Sequence, residues 1–253
     1  MRMKPQQQQK TITTVVFDLD DTLYDCYRQR VLPAHRYACQ KMIAAGFPAK
    51  LSCLLRMRLK LFHQNRNLKT LDRRLCTQFG LSGVRARRLA QVGRKAYLGY
   101  PLGQLRLFPE TRPTLRRLHQ RDVRLFIITA GRPALQRKKV RALGLDRCPY
   151  ITRIFYAPIP SGQPGKQQEL RRILLRPAGS RRSWELDPER ILVVGDRPNR
   201  EIQAANELGM ISVRRLGGEF ARYRPKSPRE QACFTIRRLS EIFTLGLKFG
   251  PRN

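Results

Sequence analysis

The chain has 253 residues, 41% of them hydrophobic, and carries 52 Lys+Arg against 18 Asp+Glu for a formal net charge of +34. That apolar fraction suffices for a sizeable core and excludes a wholly disordered chain. No stretch approaches the ~18 unbroken apolar residues of a membrane-crossing helix. The opening dozen residues, all Gln at 6–9, lack the apolar run of a secretory leader and read as a tail over 1–11. The six cysteines are scattered with no CxxC pair, which suggests neither a zinc site nor a disulfide framework. A reducing, cytoplasmic setting is the expectation.

In chain order, the first element is an apolar run over 14–19, read as a buried strand. From about 25 to 106 the pattern changes to several helices with no clear strand. Residues 50–106 hold 14 Lys+Arg and a single acid, Asp72. There Leu51, Leu54, Leu55, Leu59 and Phe62 share an approximate helical face, with Arg56, Arg58 and Lys60 around and between them on a solvated side. A helix over 111–120 leads to a strand over 124–129. A helix over 133–143 follows and stops at Gly144, a C′ glycine. A weaker strand over 150–157 and a helix over 167–175 come next, then an exposed basic loop over 179–184. A strand over 191–195, a helix over 199–208 ending at Gly209 and a strand over 211–214 complete the series. Strands alternating with helices predict an α/β fold, a Rossmann-like doubly wound parallel sheet with helices on both faces. The helical stretch over 25–106 reads as a cap inserted into a core of 12–24 and 107–243, with a C-terminal tail over 244–253.

Acids are scarce, yet Asp18, Asp20, Asp21 and Asp25 crowd the end of the first strand. Crowded carboxylates raise one another's pKa. A hard cation, or a reaction that needs two carboxylates, offsets that cost. In open α/β sheets ligands bind outside the carboxyl ends of the strands. Asp18 and Asp20 fall there, as do Thr129 and Gly131 after the second strand and Asp196 after a later one, so three distant clusters converge on one edge. Residues two apart in an extended strand project to one side. One carboxylate can then attack an electrophile while the other handles a proton. Asp196 and Glu201 add charge for a divalent cation, Lys166 offers a fixed positive charge to a transferring phosphoryl group, and Thr129 a hydroxyl to its oxygens. Lys138 and Lys139, inside a predicted helix, are poorer candidates for that ammonium. The three histidines, His35, His63 and His119, are isolated and are assigned to neither metal nor catalysis.

Asp18-Leu19-Asp20-Asp21-Thr22, Thr129 in a Thr-Ala-Gly turn, Lys166, and Gly195-Asp196 with Glu201 resemble the four ordered motifs of the haloacid dehalogenase-like hydrolase superfamily. The insert after the first motif resembles the helical cap of its phosphatase-like branch, and the segment 234–242 that branch's closing strand and helix. The resemblance implies a Mg²⁺-dependent phosphatase. Asp18 would be the nucleophile forming an aspartyl-phosphate, and Asp20 the acid and then the base, its carbonyl also binding metal. Thr129, the backbone at Ala130 and Lys166 would hold the phosphoryl group, and Asp18, Asp20, Asp196 and Glu201 the metal. An Asp at position 20 favours phosphoryl transfer, because dehalogenases of the superfamily lack that carboxylate. Two positions depart from the pattern: Glu201 stands where Asp is more common, and Ala130 where Asn is common.

The expected substrate is a small phosphomonoester of the nucleotide or sugar-phosphate type. The competing expectation is a nucleic-acid-binding protein on the same fold, its basic cap holding a polyanion with weak or no phosphatase activity.

Overall fold

The computed structural model describes residues 11–65, 67–157, 165–174 and 187–251. The tail expected over 1–11 lies almost wholly outside these residues, and the basic loop over 179–184 entirely so. The chain divides into two compact units, one of Met1–Cys26 with Gln104–Asn253, the other of Tyr27–Gly103.

The first unit is built on six parallel strands: β1 (Thr14–Asp18), β2 (Arg124–Ala130), β3 (Arg153–Ala157), β4 (Ile191–Gly195), β5 (Ile211–Arg215) and β6 (Phe234–Ile236). They lie in the order β3-β2-β1-β4-β5-β6. β1 and β4 are fully buried along their length, which is why they read as unbroken apolar runs rather than alternating ones. Val16, Ile128, Ile191 and Val193 pack with Leu170, Ile173, Ala204, Ala205 and Met210 in one apolar cluster. The last five come from or beside the helices that follow β3 and β4, so this cluster marks the sheet face those helices cover. Strand order reverses about β1, the first strand of the chain, so the carboxyl ends of β1, β2 and β4 lie side by side at the crevice where open α/β sheets take ligands.

Several boundaries differ from the sequence reading. The strand expected over 150–157 begins only at Arg153. The helix expected over 199–208 is a wide π-type turn at Pro198–Ile202 and a short helix at Gln203–Glu207. The wide turn draws Glu201 inward. The C-terminal segment is not a bare tail. Ile12 N–H donates to the Lys248 carbonyl at 2.8 Å, and Gly250 N–H to the Ile12 carbonyl at 3.1 Å.

The second unit contains α1 (Leu32–Ala44), α2 (Leu51–Gln64), α3 (Leu68–Gln78) and α4 (Gly83–Gly99), entered through a π-type turn at Tyr27–Val31. Met42, Leu54, Leu61, Phe62, Leu71, Leu75 and Leu89 form its core. One expectation is overturned here. The buried face of α2 is Leu54, Arg58, Leu61 and Phe62, so Arg58 lies inside, not on the solvated side, while Leu59 is half-buried. Arg58 stays charged at no prohibitive cost because Asp72 of α3 meets it with both oxygens, at 2.7 and 3.1 Å. Gly93 of α4 leaves the room: a Cβ there would sit 3.0 Å from the Asp72 carboxyl carbon. Among the described residues no helix is long and apolar enough to cross a membrane.

Candidate active site

Asp18 closes β1 and is buried. By strand alternation it shares a face with Val16, the face covered by α7 (Gly165–Leu174) and the turn after β4. Lys166, in the first turn of α7, reaches across and places its ammonium 2.5 Å from Asp18 Oδ1, and it also pairs with Glu201 Oε1. Glu201 Oε2 accepts from the Arg197 backbone N–H at 3.2 Å, which ties the glutamate to its own turn. Gly195 makes that approach possible, since a Cβ there would meet Glu201 Cβ at 2.6 Å. The Thr22 hydroxyl lies 3.5 Å from Asp18 Oδ2.

Asp18, Asp196 and Glu201 each bring a carboxylate oxygen to within 4.8 Å of the others, and all three are buried. Neither oxygen of Asp196 has a hydrogen-bond partner. The nearest cation to it is the Arg197 guanidinium, 3.9 Å from Oδ1. A buried carboxylate without hydrogen bonds is expensive, and the acidity of the cluster reflects it. Burial lifts Asp18 to about 6; the Lys166 charge opposes the rise, and Glu201 and Asp20 add to it. Burial pushes Asp196 well above the carboxylate range, against the pull of Arg197 and with Glu201 and Asp18 reinforcing it. Burial also works against ionised Glu201, but Lys166 and Arg197 outweigh it and hold this group low. Burial disfavours the Lys166 ammonium too, yet Asp18 and Glu201 more than compensate and raise its pKa. Three acids against one bonded ammonium, with hard oxygen donors and an unpartnered carboxylate, fit a small, hard divalent cation.

Asp20 stands apart from this group. It lies past the end of β1 and turns toward α6 (Pro133–Ala142). Lys139 Nζ contacts its two oxygens at 2.9 and 2.7 Å, the Tyr24 hydroxyl donates to Oδ1 at 2.7 Å, and Gln136 Nε2 donates to Oδ2 at 3.2 Å. Burial opposes the charged form, but Lys139, Tyr24 and Gln136 together keep this carboxyl far below its usual range. Lys139, read from the sequence as a poorer candidate than Lys166 for the ammonium that meets a phosphoryl group, is instead buried against Asp20. The signal was in the spacing. Gln136, Lys139 and Val140 lie three and four apart, so two polar residues occupy the apolar stripe of α6.

Thr129 and Ala130 end β2, beside β1. The Thr129 hydroxyl is buried and unpartnered. The Ala130 carbonyl accepts from Gln136 Nε2 at 2.8 Å, which ties the second motif to the Asp20 clamp. Asp21 takes a positive φ of 60°. Its carboxylate accepts from the Glu219 backbone N–H at 3.2 Å and its carbonyl from Arg215 Nη1 at 2.9 Å, so it fastens the motif to the β5 loop. His35, read as isolated, touches Arg58 inside the helical unit.

The family model described as haloacid dehalogenase-like hydrolase matches residues 12–209. A glyceraldehyde 3-phosphate phosphatase of Methanopyrus kandleri is 28% identical over 238 residues, covering 91% of this chain and 95% of the relative. One of Pyrococcus abyssi is 30% identical over 207 residues, covering 80% of each. Among solved structures, magnesium-bound YfnB of Bacillus subtilis superposes with a TM-score of 0.63 at 20% identity, covering 93% of this chain and 99% of that one.

Proposed function

This chain belongs to the haloacid dehalogenase-like hydrolases and is a phosphoric monoester hydrolase; from that premise we propose that it cleaves a small sugar phosphate, of the three-carbon class named for its relatives, through a phosphorylated Asp18. The observation that carries this reading is the meeting of Asp18, Asp196 and Glu201 around one point at the strand ends, with Lys166 bonded to two of them.

In this reading Asp18 attacks phosphorus, an O–P bond forms to its carboxylate, and the bond to the leaving sugar oxygen breaks. Asp20 is held ionised by its clamp at neutral pH, so its minor, protonated form gives the proton to that oxygen, and the ionised form then takes one from the water that hydrolyses the aspartyl-phosphate. The clamp of Lys139, Tyr24 and Gln136 favours the ionised form of Asp20, the one that receives the water's proton. The free Thr129 hydroxyl, the backbone at Ala130 and the Lys166 ammonium orient the phosphoryl oxygens and offset their charge. Asp18, the Asp20 carbonyl, Asp196 and Glu201 would hold Mg²⁺, which when bound supplies charge neutralisation for the phosphoryl group.

The test is turnover of p-nitrophenyl phosphate and of a panel of sugar phosphates by the wild type and Asp18→Asn, with and without Mg²⁺. Wild-type turnover that requires Mg²⁺ and is abolished by Asp18→Asn is expected. Undiminished Mg²⁺-dependent turnover by the variant refutes the role of Asp18.

A further inference from the structure

A cavity of about 520 Å³ opens in the first unit where the segment 105–109, the start of α5 (Thr111–His119) and the close of α6 meet. Its size is that of a small-molecule site, for which roughly 300–1,000 Å³ is usual. Arg106, Arg112 and Arg141 line it beside the apolar Leu105, Phe108 and Leu143. No acid is among the lining residues; Glu110 and Asp146, which flank them in sequence, fall outside. The lining shares no residue with the strand-end site.

The helix end in this wall is closed against its own polarity. The last carbonyls of a helix carry partial negative charge and repel anions. Here the Lys139 carbonyl accepts from Leu143 N–H at 3.0 Å, that of Val140 from Leu145 N–H at 3.0 Å, and that of Arg141 from Gly144 N–H at 2.9 Å. The Leu143 carbonyl accepts from Arg112 Nη2 at 3.4 Å. Gly144, with a φ of +64°, leaves room for that reach, since a Cβ there would lie 3.0 Å from Arg112 Nη2. Arg112 is thereby anchored against the same turn that carries Arg141.

Three like charges on one cavity repel a cation, and water alone leaves their mutual repulsion in place. An anion offsets it. Guanidinium forks match the oxygens of a phosphate in pairs, and a dianion answers three positive charges better than a single negative charge does. The apolar lining gives a bare inorganic ion nothing to bury, so it calls for an organic body.

We infer that this cavity is a binding site for a small organic phosphate, its dianion held by Arg106, Arg112 and Arg141 and its apolar body set against Leu105, Phe108 and Leu143. The site is separate from the catalytic one and stands if Asp18 proves not to be the nucleophile, because no residue of the proposed reaction lines it.

The probe is phenylphosphonate, whose C–P bond a phosphatase does not hydrolyse, titrated calorimetrically into the full chain at constant ionic strength. Arg112→Gln/Arg141→Gln is compared with wild type and with Arg116→Gln/Arg147→Gln, which removes two exposed charges of the same unit outside the lining. Phosphonate at the strand ends is common to all three proteins. Wild type and Arg116→Gln/Arg147→Gln are therefore expected to bind one equivalent more than Arg112→Gln/Arg141→Gln. Equal stoichiometry in all three overturns the site, and so does an equal loss in both double variants, which assigns the binding to overall charge. Phenylphosphonate is expected to occupy this site about tenfold more tightly than inorganic phosphate; equal affinities mean an adventitious ion only and overturn the organic ligand. In the wild type itself the Gly144 N–H resonance must shift saturably with phenylphosphonate. A fixed resonance overturns the site even where the double variant fails to fold.

Discussion

Lys139 and Asp20, 119 residues apart, form a partly buried ion pair in which one ammonium spans both carboxylate oxygens at 2.9 and 2.7 Å. Asp20 is the proton-handling group of the proposed reaction, so the Lys139 charge beside it sets which of its two states is cheaper. Removing the ammonium makes the carboxylate a costlier state and slows the step in which it takes a proton from water. Lys139→Met is expected to lower kcat by about 10–100-fold with little change in KM. Rapid quench with a phosphate ester should show phosphorylated protein accumulating in the variant. A normal steady state without accumulation contradicts the assigned step.

The unpartnered Asp196 carboxylate predicts opposite effects with and without metal. In metal-free protein Asp196→Asn removes a buried carboxylate that no hydrogen bond satisfies, and stability is expected to rise by about 1–2 kcal/mol in urea unfolding. In Mg²⁺ the same substitution is expected to weaken metal-dependent stabilisation by at least about tenfold in apparent affinity. If metal-free stability falls and Mg²⁺ affinity is retained, Asp196 is a structural cap and not a ligand.

His35 gives the helical unit a defined response to acid. Its folded pKa, about 2, lies below the ordinary 6.5 because burial and then Arg58 oppose its protonation. The unfolded chain therefore binds the extra proton between these values, and stability falls as pH drops below 6.5. The slope is about 1.4 kcal/mol per pH unit, or roughly 2 kcal/mol by pH 5. Above 6.5 the residue contributes no slope. His35→Gln should flatten the stability profile between pH 6.5 and 5; an unchanged profile would mean that His35 does not stay neutral.

Arg58 and Asp72 are the buried pair on which α2 and α3 close. Asp72→Asn leaves the guanidinium unpaired in the core and is expected to cost about 3–5 kcal/mol. Replacing both residues with Met and Leu should recover most of that loss, because no charge then remains to be compensated. Denaturant unfolding of the single and double variants measures it, and a double variant no better than the single one would show that packing, not charge, dominates there.

Much of this protein is legible in its sequence because the signals are local. Fully buried strands must be apolar throughout, so β1 and β4 announce themselves, and alternation with helices implies a parallel sheet whose strand ends collect Asp18, Thr129 and Asp196. Periodicity alone also separates the helical stretch from the strand-bearing one. It does not say which charged side chains turn inward. Arg58 sits among leucines whether it faces water or core, and Lys139 is one of 52 cationic residues. Their burial depends on an acid brought opposite by another element: Asp72 from α3 for the one, Asp20 from the turn after β1 for the other. Hydrophobic pattern is written residue by residue along the chain, whereas the partner that makes an interior charge affordable arrives only when distant segments fold against each other.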